Sequence, residues 1–138
     1  MNGSIRIVVD TNVYYIFLYK PESKAGRIIN HALENKIKIF SPDTVKEEMS
    51  RLLIRDFKFK EDEKEIIIDS LPVEWVDKEV YKDQMEKACI IKHKQDRPIL
   101  ACALVLGCGV LTANIRHFKP ARKLVKMWNI DELLNAIK

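Results

Sequence analysis

Three acidic residues occupy positions from which a fold could bring them into one site. Asp10 directly follows the β-branched run Ile5–Val9, Glu48 lies in a segment with helical spacing, and Asp96 directly precedes Arg97. Carboxylates that converge repel one another, so either their pKa values rise or a cation binds between them. Oxygen ligands without His or Cys in support favour Mg²⁺ or Mn²⁺ over zinc. A site of this kind commonly serves phosphoryl chemistry, in which the metal activates a water molecule.

Each acid also has a purely structural interpretation. Asp96 stands before Arg97-Pro98, where an aspartate is well suited to cap a helix. Asp10 could end a strand and cap a helix that begins at Thr11. Glu48 belongs to a pair with Glu47, and such a pair can simply be the solvated face of a helix.

Helical geometry separates Glu48 from Glu47. The buried stripe of the predicted helix 42–56 is formed by its apolar residues, which are Val45, Met49, Leu52 and Leu53. At about 100° per residue, Glu48 lies roughly 85° from the centre of this stripe and Glu47 roughly 175°. Glu47 is therefore expected to face water, and Glu48 to sit at the border of the core, where a carboxylate needs a partner. The side chain of Glu48 also tilts toward the N-terminus of its helix.

Hydrophobic periodicity predicts alternating strands and helices along the chain. Strands are expected at 5–9, 36–40, 73–76, 110–112 and 124–128. Helices are expected from residue 11 and over 23–35, 42–56, 61–70, 78–92, 97–106 and 131–137, with Ser41 as N-cap and Pro42 as first helical residue of the third. This alternation predicts an α/β fold, with a parallel sheet of about four to five strands and helices on both faces.

The order of these elements brings several polar residues to one edge of the sheet. Ligands of open parallel sheets bind at the carboxyl ends of the strands. Asp10 and the segment Thr112-Ala113-Asn114 follow strands directly. The helix that Asp96 precedes joins the strand 110–112 through a tight turn, so it runs antiparallel to that strand and begins at the same edge.

Length and composition indicate one ordinary globular domain over residues 1–138. Hydrophobic residues make up 47% of the chain and charged residues 32%, which argues against a disordered chain. The longest apolar run spans about a dozen residues where a membrane span needs about 20, and no secretory signal pattern is visible, so a cytoplasmic protein is expected. Three cysteines without C-x-x-C spacing argue against a disulfide framework or a zinc site. The net charge of +4 permits a nucleic-acid partner without requiring one.

Three sequence motifs, in order along nearly the whole chain, resemble those of the PIN-domain nucleases. They are Val8-Val9-Asp10-Thr11-Asn12, then Glu47-Glu48-Met49-Ser50-Arg51-Leu52-Leu53, and then Asp96-Arg97-Pro98-Ile99-Leu100-Ala101-Cys102-Ala103-Leu104, followed by Gly107, Val110-Leu111-Thr112-Ala113-Asn114 and Phe118. Each motif alone is weak, but the ordered set is specific. The length also resembles that of single-domain members that act as toxins in toxin–antitoxin pairs.

The resemblance implies cleavage of single-stranded RNA at a Mg²⁺ or Mn²⁺ centre. Asp10, Glu48 and Asp96 match the family's acidic, metal-binding positions. The fourth position, commonly an aspartate, is Asn114, which supplies an oxygen without a charge, and His117 stands where another acid often precedes the phenylalanine. The resulting catalytic set is Asp10, Glu48, Asp96 and Asn114.

Three further residues are expected to support that set. Thr11 and Asn12 would orient Asp10 and its metal-bound water, and Thr112 would assist at the end of its strand. Helix capping by Thr11 is an equally good interpretation. His93 and His117 are more simply surface histidines than general acids or bases.

The densest basic stretch of the chain follows the site directly. It contains Arg116, Lys119, Arg122, Lys123 and Lys126. The first four are expected to contact RNA phosphates, although a run of charges is also typical of a solvated surface.

Other functions fit the sequence less well. A phosphatase of the haloacid dehalogenase type needs a second acid at position 12, which is Asn, and a receiver domain needs paired acids here. A catalytically weak or inactive PIN-fold module that binds RNA or a protein remains the main alternative, given Asn114 and His117. The sequence leaves open which RNA is cut, whether an antitoxin partner exists, and whether the chain forms a homodimer.

Overall fold

The core of the fold is a five-stranded parallel sheet with the strand order β3-β2-β1-β4-β5. A computed structural model of the chain describes residues 4–137. The strands are β1 Ile5–Val9, β2 Ile37–Pro42, β3 Val73–Val76, β4 Gly109–Leu111 and β5 Met127–Trp128. The order reverses between β1 and β4, which is where ligands bind in open α/β sheets. The predicted α/β fold with a parallel sheet is confirmed.

Helices flank the sheet and connect its strands. They are α1 Thr11–Tyr19, α2 Lys24–Leu33, α3 Asp43–Arg55, α4 Glu61–Ser70, α5 Lys78–Tyr81, α6 Met85–Ala88, α7 Arg97–Leu106, α8 Ile115–Phe118 and α9 Ile130–Ala136, with short 3-10 turns at Lys82–Gln84, Lys94–Asp96 and Lys119–Ala121. None of the helices within residues 4–137 combines the length and apolar character needed to cross a membrane.

The central strand β1 is covered on both faces at its carboxyl end. Successive side chains of a strand point to opposite faces of the sheet. Ile7, Val8 and Val9 are all fully buried, so neither face reaches solvent there. This packing fixes the end of the strand, and with it the position of Asp10.

The turn between α7 and β4 places the start of α7 at the carboxyl edge of the sheet, as expected. Gly107 ends the helix in the left-handed conformation with φ of 66°, which glycine adopts without the penalty of a Cβ. The chain reverses there into β4. Asp96, at the opposite end of α7, therefore lies near the ends of β1 and β4.

The expected start of the third helix is wrong. Ser41 and Pro42 belong to β2, and α3 begins at Asp43. The Ser41 hydroxyl donates a hydrogen bond to the carbonyl of Val9 at 2.6 Å and lies 2.7 Å from the Tyr14 hydroxyl. Because this buried hydroxyl links β2 to β1, it is not available to cap a helix.

The expected single helix over 78–92 is also wrong. Two short helices, α5 and α6, are separated by a 3-10 turn, and the chain leaves helical conformation before Ile91. The side chain of Tyr81 is buried and donates to Asp43, while the carbonyl of Ile91 accepts from Arg97 Nε at 2.8 Å. These tertiary contacts override the local helix propensity. The last strand is likewise shorter than expected, with two residues, Met127 and Trp128, instead of 124–128.

Candidate active site

A pocket of about 360 Å³ opens at the carboxyl ends of β1 and β4. All four residues of the expected catalytic set line this pocket, and Thr11, Asn12 and His117 line it with them; the set is Asp10, Glu48, Asp96 and Asn114. Of the described residues that form its walls, none is a lysine or an arginine. We refer to it as the acidic pocket.

The hydroxyl of Thr112 holds the carboxylate of Asp10. Thr112 Oγ1 donates to Asp10 Oδ2 at 2.8 Å and accepts from the backbone N–H of Asn114 at 2.9 Å and from Asn12 Nδ2 at 3.3 Å. A hydroxyl has one donor and two acceptor sites, so all of them are used. Asn12 in turn accepts from the backbone N–H of Ala113 at 3.1 Å, which ties the end of β1 to the end of β4.

Burial is the dominant influence on the ionisation of Asp10. Only 7% of this residue is exposed, and desolvation raises its pKa from 3.8 to about 6. The hydrogen bond from Thr112 opposes the rise, while the negative charges of Asp96 and Glu48 add to it. The pocket therefore holds a carboxylate at a cost in free energy that a bound cation would reduce.

Glu48 is oriented by Thr11. The Thr11 hydroxyl donates to Glu48 Oε1 at 2.7 Å, across the gap between α1 and α3. Glu48 is half-buried and Glu47 is exposed, as the helical geometry predicts. The Thr11 hydroxyl therefore orients Glu48 and does not cap α1, while the backbone N–H of Thr11 hydrogen-bonds to the Asp10 carboxylate and lowers its pKa. A role of Thr11 toward the metal-bound water stays a prediction.

Asp96 points into the pocket and contacts His117. The residue precedes α7, but its side chain makes no capping hydrogen bond, so the capping interpretation is wrong. Asp96 Oδ2 lies 2.9 Å from His117 Nδ1, and Asn114 Nδ2 lies 3.0 Å from His117 Nε2. His117 is half-buried between these two residues and is not a free surface histidine.

A second pocket, of about 340 Å³, adjoins the acidic pocket through the shared residue His117. Its lining combines cations with the exposed residue His93 and contains no acid among the described residues. Besides His117, the lining residues are Lys92, His93, Arg116, Lys119, Pro120 and Arg122. Within residues 4–137, none of its four lysine and arginine side chains forms an ion pair. We refer to it as the basic pocket.

A family model describing the PIN domain matches residues 6–116, which include the acidic pocket's four expected catalytic residues. The chain belongs to the PIN domain family. A comparison with curated proteins found no match.

The PIN fold of this chain is similar to solved structures of VapBC proteins. VapBC2 from Rickettsia felis, bound to a DNA fragment from its promoter, is 17% identical with a TM-score of 0.64, and the match covers 91% of this chain and 98% of the other. DNA-bound VapBC from Salmonella typhimurium is 13% identical with a TM-score of 0.68 and the same coverage. VapBC-1 from nontypeable Haemophilus influenzae is 13% identical with a TM-score of 0.61, covering 92% and 99%. At these identities the likeness shows a shared fold.

The chemistry of the acidic pocket fits a hard divalent cation. Its charged groups are carboxylates, amide and hydroxyl oxygens line it with them, and its negative charges have no lysine or arginine partner among the described residues of the wall. Within residues 4–137, no three His, Cys, Asp or Glu side chains stand close enough to hold an ion together. This arrangement suits Mg²⁺, which usually binds one or two carboxylates and keeps several waters.

The basic residues expected to meet RNA are only partly brought together. Arg116, Lys119 and Arg122 line the basic pocket, whereas Lys123 is exposed outside it. Lys126 lies over the ring of Trp128, at 4.5 Å from its centroid.

Sequence reasoning did not name Lys92 as a site residue and interpreted His93 as a surface histidine, yet both line the basic pocket. Lys92 and His93 come from the segment before α7, and the fold brings them against α8. The run Lys92-His93-Lys94 was the available signal in the sequence. Because it lies more than twenty residues from the basic stretch that begins at Arg116, no sequence pattern indicated that the two lie side by side.

Proposed function

We propose that this PIN-domain protein is a Mg²⁺- or Mn²⁺-dependent nuclease that hydrolyses phosphodiester bonds of single-stranded RNA. The observation that carries the proposal is the buried carboxyl of Asp10, which shares a pocket with Glu48 and Asp96 at the carboxyl edge of the sheet. The described walls of this pocket offer no lysine or arginine to balance the three acids. The resemblance of the motifs to PIN-domain nucleases supports RNA as the substrate.

Asp10 and Asp96 are the first candidates to hold the metal ion. Both aspartates are only 7% exposed and line the same pocket, and the negative charge of Asp96 raises the pKa of Asp10. Asn114 adds a neutral oxygen at the same pocket. When bound, the ion supplies an activated water and stabilises the negative charge that develops on the phosphate.

The other polar residues of the pocket keep the acids in position. Thr112 and Asn12 hold the Asp10 carboxylate, and Thr11 holds Glu48. Because these donors are themselves fixed by backbone contacts or by position on α1, the carboxylates need little rearrangement when substrate binds. Preorganisation of this kind lowers the cost of reaching the transition state.

The basic side chains offset the repulsion between RNA and the acidic pocket. Arg116, Lys119 and Arg122 surround the adjoining basic pocket, and Lys123 is exposed on the same segment. We assign phosphate contacts to these four residues. Such contacts position the strand without reading its sequence.

Cleavage assays with purified, chelator-treated protein test this proposal. Mg²⁺ or Mn²⁺ should restore cleavage of single-stranded RNA, and duplex RNA or single-stranded DNA should be cut much more slowly. Zn²⁺ alone should not restore activity, because the pocket offers oxygen ligands. Cleavage of RNA in the presence of excess chelator would contradict the metal requirement.

A non-cleaving binding module is the second candidate. Asn114 stands where the resembling family commonly has an acid, and its amide is directed at His117. In that case the protein binds RNA or a protein partner but does not cleave RNA in the presence of a metal ion. Binding of an RNA oligonucleotide that stays intact with either metal would favour it.

A protein partner of antitoxin type is proposed from the match to the whole length of VapBC chains. The neighbouring gene offers a direct test. A small reading frame that overlaps the start of this one, and whose product co-purifies with the protein and suppresses cleavage, would support a toxin–antitoxin pair. A free protein that elutes as a dimer would support the homodimer that the sequence left open.

A further inference from the structure

One face of the ring of His93 is covered by the ring of another histidine. His93 and His117 stack with their ring centroids 3.7 Å apart and their planes inclined by 21°. His93 is nevertheless an exposed residue that lines the basic pocket. One face of the ring therefore rests on His117, while the residue as a whole is open to solvent and to the basic pocket.

The support beneath His93 is fixed relative to the acidic pocket. His117 lies on α8 and is held through Nδ1 by Asp96, at 2.9 Å, while Asn114 approaches the ring from the end of β4. Two distant chain segments therefore combine to present one ring at a defined place. A histidine that is only a solvated surface group does not require a second ring, itself held by hydrogen bonds, beneath its imidazole.

The surroundings of this ring match the chemistry of a nucleotide. Single-stranded nucleic acids are bound by rings on which bases stack and by cations that follow the backbone. The basic pocket supplies both, since the stacked His93 shares it with Lys92, Arg116, Lys119 and Arg122. A base in a duplex has no free face for such a ring, so this combination selects a single strand.

We propose that His93 is a base-stacking residue that binds one nucleobase of the RNA strand beside the acidic pocket. The cations of the basic pocket hold the phosphate of that nucleotide. Because His117 lines both pockets, the stacked nucleotide lies next to the bond that is cut, and stacking sets the position of the strand. This inference rests on the proposed ribonuclease function.

Binding measurements without metal test the stacking role separately from catalysis. The probe is a fluorescent oligoadenylate of about ten nucleotides, compared with an oligomer of the same length whose sugars carry no bases. Fluorescence anisotropy with excess chelator gives dissociation constants for the wild-type protein and for His93→Ala, His93→Phe and Tyr19→Ala. Tyr19 is the control, because this aromatic residue is 78% exposed and lines neither the acidic nor the basic pocket.

Stacking predicts a specific pattern. His93→Ala should weaken binding of the oligoadenylate about fivefold or more and leave binding of the abasic oligomer unchanged. His93→Phe should restore most of the loss, and Tyr19→Ala should bind like the wild type. An equal loss on both oligomers, or no loss with His93→Ala, would overturn the stacking role while leaving the nuclease proposal intact. A wild-type protein that binds neither oligomer would overturn both proposals.

Discussion

Replacing Asp10 by asparagine should stabilise the metal-free protein at neutral pH. The change removes the negative charge of a residue that is only 7% exposed and preserves the size of its side chain. An asparagine oxygen can still accept the hydrogen bond from Thr112, which donates to Asp10 Oδ2 at 2.8 Å. The substitution therefore isolates the cost of burying the negative charge.

The magnitude follows from the pKa of Asp10. Burial raises this pKa from 3.8 to about 6 in the folded protein. Between these pH values the folded state binds more protons than the unfolded state, so the free energy of unfolding falls as the pH rises through the window. The fall amounts to about 3 kcal/mol and is complete above the folded-state pKa. The free energy of unfolding of Asp10→Asn should not fall in this way, because asparagine does not titrate.

Urea unfolding in the presence of a chelator measures the effect. Relative to the wild type, Asp10→Asn should gain about 3 kcal/mol between about pH 3 and about pH 8, a shift in melting temperature of about 10 °C. Asp69→Asn, at an exposed position on α4, is the control and should follow the wild type. Added Mg²⁺ should stabilise only proteins that retain Asp10, since a ligand stabilises the state that binds it. Parallel pH profiles for the wild type and Asp10→Asn would refute the reasoning.

Three further perturbations probe the remainder of the site. Thr112→Val should lower the free energy of unfolding in urea by roughly 1–3 kcal/mol, because it leaves polar groups unpaired. It should also raise the pKa of Asp10 further, which a titration followed by NMR would detect. An unchanged pKa would contradict the hydrogen bond from Thr112 to Asp10. Asn114→Asp should tighten Mn²⁺ binding about tenfold or more in calorimetry, since unit charges about 4 Å apart interact by a few kcal/mol at an effective dielectric near 20; unchanged affinity would place Asn114 outside the metal shell. Arg116→Gln and Arg122→Gln should each reduce the salt dependence of RNA binding by about 0.7 in the log–log slope, and an unchanged slope would make these side chains solvated surface groups.

The acids of the site could be predicted because their positions depend on local pattern and chain order. Asp10 follows a buried strand, and Gly107 turns α7 back so that Asp96 returns to the same edge. Periodicity alone distinguished the half-buried Glu48 from the exposed Glu47. Each of these inferences needs only the geometry of one element and the order of its neighbours.

What could not be predicted depends on contacts between distant segments. Ser41 has the local signature of a helix cap, but its hydroxyl bonds to Val9 on the neighbouring strand. Thr11 reaches Glu48, thirty-seven residues away, and the stack of His93 on His117 joins the segment before α7 to the helix α8. Sequence pattern carries no record of such pairings, because each residue alone is compatible with several partners.

The proposed ribonuclease function is tested most directly by substituting the paired glutamates of α3. Glu48 lines the acidic pocket and accepts from Thr11, whereas its neighbour Glu47 is exposed. Glu48→Gln should abolish Mg²⁺-dependent cleavage of single-stranded RNA with the fold intact by circular dichroism, as should Asp10→Asn and Asp96→Asn. Glu47→Gln should cleave at the wild-type rate. Wild-type cleavage by Glu48→Gln, or an equal loss in both glutamate variants, would contradict the assignment of the active site.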